Sequence, residues 1–139
     1  MARTFVDILI GTDIIEIKRV RNALEKPSGE AFKNKVFTKV EQQYCEEKRI
    51  AKYHSYACSF AAKEAVAKAF GTGIGANAGL SEIEVRRKES GKPYIELYGK
   101  AKQFFESIGG ISIKLSLSHC ESYAQAFVVV IIGDNSVDG

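Results

Sequence analysis

The chain has 139 residues, 45% of them hydrophobic and 27% charged, the make-up of an ordinary one-domain globular protein. At this length roughly 68–70% of the surface of the unfolded chain is buried on folding, so neither disulfides nor a structural metal are needed to hold a core. The net charge of +3 is too small to argue for nucleic acid or a membrane surface, yet it is uneven. Residues 1–70 carry 13 basic and 9 acidic side chains against 7 and 8 in residues 71–139, which puts any anionic partner on the first half.

From Phe5 to about Ile17 the chain is rich in β-branched residues, with Val6, Ile8 and Ile10 on one parity, and predicts a strand. Gly11 and Asp13 interrupt it, where a backbone turns or a ligand comes close. Residues 18–25 predict a short basic helix ended by the turn at 26–29, and a second short helix holds Phe32 and Val36. Thr38 and Glu41 have capping-box spacing, which starts a third helix running to about Arg49. Tyr53 to Phe70 is the longest helical stretch, rich in alanine, with Phe60, Ala67 and Phe70 on a face expected to dock on a sheet. Gly71 stands where a left-handed cap is expected, and four glycines fall within residues 71–79.

Two alternating segments around Glu89-Ser-Gly-Lys-Pro93 read as a hairpin, and residues 99–108 as a helix. Ile111, Ile113, Leu115 and Leu117 alternate strictly with polar residues, the pattern of a half-buried strand, and a more buried strand runs from Tyr123 to Ile132. The fold class expected is α+β, an antiparallel sheet packed against the long central helix, as one domain over 1–139 with a core at about 5–132 and a frayed polar tail over 133–139. Cys45, Cys58 and Cys120 are odd in number, with no zinc-site spacing. They suit reduced thiols in the cytoplasm, and no signal peptide or membrane span is legible.

Residue statistics alone make Asp13 a turn former and Glu64 the i,i+4 partner of Lys68. A different chemistry becomes available because Lys63, Glu64 and Lys68 interrupt a small, apolar helix that leads into the glycine segment. One carboxylate from a strand and one from a helix can hold Mg²⁺, and neighbouring lysines and backbone amides can meet phosphates. The glycines lack Walker A spacing, which argues against nucleotide hydrolysis of that type. His119 ends the alternating strand, where a side chain emerges into a cleft, whereas His54 reads as structural. Ser118, His119 and Asp13 do not suit a nucleophilic triad, since adjacent strand residues face opposite ways, and nothing supports Cys120 as a nucleophile.

Six blocks occur in order: Gly11-Thr-Asp-Ile-Ile-Glu-Ile-Lys-Arg19; Phe37-Thr-Lys-Val-Glu41 followed by Tyr44; Phe60-Ala-Ala-Lys-Glu-Ala65; Phe70-Gly-Thr-Gly-Ile74; Gly91-Lys-Pro93; and Leu115-Ser-Leu-Ser-His119 followed by Tyr123-Ala124. Together they resemble the holo-[acyl-carrier-protein] synthase family, the small bacterial type of 4′-phosphopantetheinyl transferase, over about residues 5–132. The resemblance implies Mg²⁺-dependent transfer of the 4′-phosphopantetheine arm of coenzyme A to a serine of apo-acyl carrier protein, for fatty acid biosynthesis, with release of adenosine 3′,5′-bisphosphate. It implies Asp13 and Glu64 as metal ligands and Lys63 and His119 near the pyrophosphate, with Glu64, Lys63 and His119 as the catalytic set. Lys68, Gly71, Thr72 and Gly73 match the coenzyme-binding helix end and loop, and Gly91, Lys92 and Pro93 the turn beside the adenine.

The same resemblance implies that Lys18, Arg19 and Arg21 dock the acidic carrier, and that the chain forms a homotrimer with active sites at subunit interfaces. A water on the metal, Glu64 or His119 could take the serine proton, with the water favoured. One departure stands out. The family usually has Arg before Phe-Ala-Ala-Lys-Glu and this chain has Ser59, so part of the phosphate contact is lost or comes from Lys52, Lys39 or another subunit. Two other classes remain open: a non-catalytic module that grips acidic carriers, and a Mg²⁺-dependent hydrolase of nucleotide diphosphates.

Overall fold

Strand β1, Phe5–Glu16, runs unbroken through Gly11 and Asp13. The interruption expected there is absent, because Gly11 serves close packing instead of a turn: a Cβ on it would lie 2.0 Å from the Ala65 carbonyl oxygen. The computed structural model describes residues 5–71 and 79–133. The expectations that fall on the glycine segment 72–78 and on the tail 134–139, Thr72 and Gly73 among them, lie outside the described residues.

Three short helices follow β1: α1, Ile17–Glu25; α2, Gly29–Val36; and α3, Lys39–Glu46. The capping box forms as its spacing predicts, with the Glu41 amide donating to Thr38 Oγ1 and the Thr38 amide to Glu41 Oε1. Helix α3 stops short of Arg49, and a 3₁₀ turn at Arg49–Ala51 leads into α4, Lys52–Phe70. Gly71 caps α4 at φ 79°, with its amide on the carbonyls of Ala67 and Lys68.

Beyond the glycine segment come a 3₁₀ turn at Leu80–Glu82, the strands β2, Ile83–Arg87, and β3, Pro93–Leu97, then α5, Gly99–Ser107, β4, Gly110–His119, and β5, Tyr123–Gly133. The strands form two antiparallel sheets, a three-stranded one in the order β1-β5-β4 and the β2-β3 hairpin. Asp13 pairs with Ala126, His119 with Ala124 and Arg87 with Pro93.

Alternation on β5 explains how the large sheet meets α4. Ala124, Ala126, Val128 and Val130 are fully buried, whereas Tyr123 and Phe127 face out. On β1, Leu9 and Ile15 pack toward the cores while Ile8, Ile10 and Ile14 are exposed, so the outer face of this sheet is apolar as well. From α4 the core shared with the sheet takes Ala61, Ala62, Ala65, Val66, Ala69 and, as expected, Phe70. This corrects the expected docking face, because Phe60 turns away to a second cluster with Val20, Phe37 and Tyr56 beneath the short helices.

Candidate functional site

Two clusters of polar side chains flank α4. The first lies where β1 passes the middle of α4: Asp13, Glu64 and Arg19 line a cleft of about 360 Å³ whose apolar wall includes Val20, Phe32 and Phe60. Asp13 reaches this side because, on a continuous strand, it shares the inner face with Gly11 and Ile15. Lys68, one helical turn beyond Glu64, places Nζ 2.8 Å from Asp13 Oδ1 and 3.2 Å from the Thr12 carbonyl. It thus pairs with Asp13 in place of the i,i+4 partner that local statistics favour. Burial, and then the like charge of Asp13, pushes the Glu64 carboxyl above its usual range, with Lys68 opposing. Two carboxylates close enough to repel, beside one lysine, form an oxygen-rich donor pair that a hard divalent cation fits, with positions left for phosphate oxygens and water. Among the described residues no set of three or more metal-ligating side chains converges.

The second cluster lies on the far side of β5, where β4 ends. His119 sits against His54 with ring centroids 5.2 Å apart, and its Nδ1 lies 3.9 Å from Cys58 Sγ. Arg87 and Tyr44 complete a pocket of about 230 Å³, with the Arg87 guanidinium 4.5 Å above the Tyr44 ring. Among the described residues, Arg87 Nε and His54 Nδ1 are buried without a hydrogen-bond partner. Sequence reasoning missed Arg87, for which local patterning carries no signal: only the hairpin register brings it here. Ser59 is 3% exposed and turned inward, and the two lysines expected to substitute are engaged elsewhere, Lys52 with Glu46 and Lys39 with Asn34. Arg87 is the cation that the fold supplies at this pocket. Its strand partner Pro93 joins the pocket to the Gly91-Lys92-Pro93 turn, which Gly91 closes at φ 90° with its amide on the Lys88 carbonyl.

Lys63 does not line either cluster, which corrects its expected place beside a phosphate. It is 0% exposed, and Nζ binds both Glu41 oxygens, at 2.7 and 2.8 Å, and the backbone carbonyls of Leu80 and Ile83. The capping residue Glu41 also accepts from the Val85 amide at 2.7 Å. Burial pushes Glu41 up and Lys63 down, and the charge of each partner opposes the shift of the other. Of the basic residues on α1, Arg19 faces the first cleft. Lys18 and Arg21 face another groove beside Tyr53, with Arg21 paired to Glu25.

Comparison with known proteins identifies the family. Residues 9–128 match the family described as the 4′-phosphopantetheinyl transferase superfamily. The chain is 54% identical to the holo-[acyl-carrier-protein] synthase of Ruminiclostridium cellulolyticum, over 94% of this chain and 96% of that protein. Among solved structures, the holo-[acyl-carrier-protein] synthase of Neisseria meningitidis is similar at a TM-score of 0.80 and 34% identity, covering 88% of this chain and 96% of that one. The Helicobacter pylori enzyme, solved in complex with coenzyme A, aligns at a TM-score of 0.77 and 30% identity, over 88% of this chain and 99% of that one. By fold, motif order and identity over most of its length, the chain belongs to the holo-[acyl-carrier-protein] synthase family of 4′-phosphopantetheinyl transferases.

Proposed function

We propose that this transferase moves the 4′-phosphopantetheine arm of coenzyme A to a serine of an apo-acyl carrier protein, in a magnesium-dependent step of fatty acid biosynthesis. The relatives named above, one of them solved with coenzyme A, support the substrates. The observation that carries the chemistry is the meeting of Asp13, Glu64 and Lys68 at one cleft. In the transfer the serine hydroxyl gives up its proton to a base or water at the cleft, and its oxygen bonds to the phosphorus that bears the pantetheine. The bond from that phosphorus to the bridging oxygen breaks, and its electron pair leaves with adenosine 3′,5′-bisphosphate. Such a step needs positioning and charge neutralisation more than a strong base.

Asp13 and Glu64 are the residues that would hold Mg²⁺, which when bound neutralises charge on the diphosphate oxygens. The Lys68 side chain is 53% exposed, so its ammonium can swing from Asp13 to a phosphate oxygen. Gly71, Thr72 and Gly73 are assigned to the same end of the coenzyme. Its separate phosphomonoester suits the second cluster, where His119, expected beside the pyrophosphate but lying outside the Asp13–Glu64 cleft, and Arg87 offer donors in place of the arginine replaced by Ser59, and the adenine suits the turn at Gly91, Lys92 and Pro93. Arg19 at the cleft, with Lys18 and Arg21 on the outer side of α1, offers charge to an acidic carrier, which raises association rate more than affinity.

Asp13 on β1 and His119 on β4 lie on opposite flanks of β5, with those strands about 10 Å apart at normal spacing and α4 between the two clusters, and we place one coenzyme across a boundary between copies. The apolar outer face of β1 and β5 offers surface for that contact, and we assign the homotrimer with interfacial sites on these two grounds. The free thiols of Cys45, Cys58 and Cys120 support a cytoplasmic setting.

The test is replacement of each carboxylate in the first cleft. Asp13→Ala and Glu64→Ala should each lower Mg²⁺-dependent transfer by more than about 100-fold, beyond the 10–100-fold usual for groups that only support a ligand. Both should keep the unfolding midpoint near that of the unaltered chain, since the Asp13–Lys68 pair is partly exposed. Full activity in both variants would remove the metal role.

A further inference from the structure

Lys63 is left without a task by the reading above, although among the described residues it is the fully buried lysine and it directly precedes Glu64. Its surroundings are built. The ammonium meets the two oxygens of Glu41 and the carbonyls of Leu80 and Ile83, and Glu41 in turn holds the amides of Thr38 and Val85. Four separate segments, the start of α3, the middle of α4, the Leu80–Glu82 turn and β2, are thereby tied to one point. An ion pair buried this deeply is poor evidence for stability, because the desolvation of both charges offsets most of their attraction. Its better-attested use is to select one registry among several of similar energy.

Helix α4 has need of such a selector. Four of its six residues in the core shared with the sheet, Ala61, Ala62, Ala65 and Ala69, are short methyl groups that interdigitate little; Val66 and Phe70 are the larger side chains there, and Gly11 fixes the distance of approach more than the rotation. Successive residues on a helix are about 100° apart around the axis and 1.5 Å apart along it. Any rotation or slip that moved the Lys63 ammonium away from Glu41 would therefore carry Glu64 away from Asp13, and Lys68 with it.

We propose that Lys63 is a positioning residue: its buried pair with Glu41 fixes the rotation of α4 and so sets Glu64 against Asp13, without touching the coenzyme. This rests on the reading of Asp13 and Glu64 as a divalent-cation site. The test combines Glu41→Gln with Lys63→Met, which leaves an acceptor for one of the Val85 and Thr38 amides, an amide nitrogen where the other oxygen stood, and no unpaired buried charge. Mn²⁺ binding in the presence of coenzyme A is followed by electron paramagnetic resonance, beside circular dichroism for the fold and steady-state kinetics for the coenzyme KM.

The expected result is a folded double variant whose Mn²⁺ dissociation constant rises by about tenfold or more, with the coenzyme KM changed far less. Unchanged Mn²⁺ affinity in the folded variant overturns the proposal in favour of a purely structural pair. A raised coenzyme KM with unchanged Mn²⁺ affinity overturns it in favour of direct contact between Lys63 and the coenzyme. If the double variant does not fold, Glu41→Asp shortens the same tie while keeping both charges. It should weaken Mn²⁺ severalfold, and full affinity there is equally decisive against the role. Failure of the unaltered protein to bind Mn²⁺ would instead remove the cation site itself, and this inference with it.

Discussion

Tyr56 and Glu46 illustrate how one hydroxyl governs a neighbouring charge. The Tyr56 ring is fully buried beneath the short helices, and its OH donates to Glu46 Oε2 at 2.6 Å while Lys33 and Lys52 approach the same carboxylate. The Tyr56 hydrogen bond, and then the two lysines against some desolvation, hold the Glu46 carboxyl below its usual range. A carboxyl lowered on folding stabilises the protein at pH values above its unfolded pKa, and that contribution is lost as pH falls through the folded value. Tyr56→Phe should therefore cost about 1 kcal/mol at pH 7, the Glu46 side chain being partly exposed, and progressively less below about pH 4. Denaturant unfolding of both proteins at the two pH values checks this, and an equal cost at both would contradict the assignment. At this same scale the sequence was read least well. Asp13 looks like a turn residue until its strand is seen to continue, and Lys63 looks, beside Glu64 and Lys68, like a cation placed to meet phosphates. Its partner Glu41 lies 22 positions away, where helical periodicity carries no information.

Elements were legible wherever their cause is local. The capping box at Thr38 and Glu41, the left-handed cap at Gly71, the hairpin turn at Gly91 and the alternation along β4 from Ile113 onward each depend on residues within one or two turns of chain and form as their patterns predict, whereas Ile111, at the register irregularity between Gly110 and Ser112, turns out and is 47% exposed. What pattern could not supply is how elements meet: that the strands divide into two sheets, that alanines rather than Phe60 carry α4 on the sheet, and that Gly11 exists for a neighbour. Gly11→Ala tests the last point. Its Cβ would meet the backbone of α4 at the Ala65 carbonyl and the Ala69 amide, neither of which can rotate aside. Overpacking of this kind should lower stability by about 1–3 kcal/mol. Because Asp13 lies two residues along the same strand, cation affinity should fall with it. Thermal unfolding and Mn²⁺ titration of the variant measure the two effects, and an unaltered midpoint would show that the approach of β1 to α4 is looser than described.

Across the whole molecule, the small charge excess of the first half divides among separate tasks. Lys68 sits at the carboxylate pair, Arg19 at the cleft and Lys18 and Arg21 on the outer side of α1, whereas Lys63 is spent in the interior. Among the described residues the outer sheet face leaves large apolar side chains in solvent, with Ile10 63%, Ile14 62% and Phe127 46% exposed. Under the proposed interfacial arrangement, a charge placed there separates the copies without harming the fold: Phe127→Asp should give a monomer by sedimentation, still folded, with transfer activity reduced by about tenfold or more. A fully active monomer would show instead that one chain completes the site. The central claim is the transfer itself, and it is read most directly from the intact mass of an apo-acyl carrier protein after incubation with this chain, coenzyme A and Mg²⁺. The account predicts one added phosphopantetheine on the carrier serine, dependent on the chain and abolished by chelation of the metal. A carrier of unchanged mass, or coenzyme A broken down equally well with no carrier present, would contradict it.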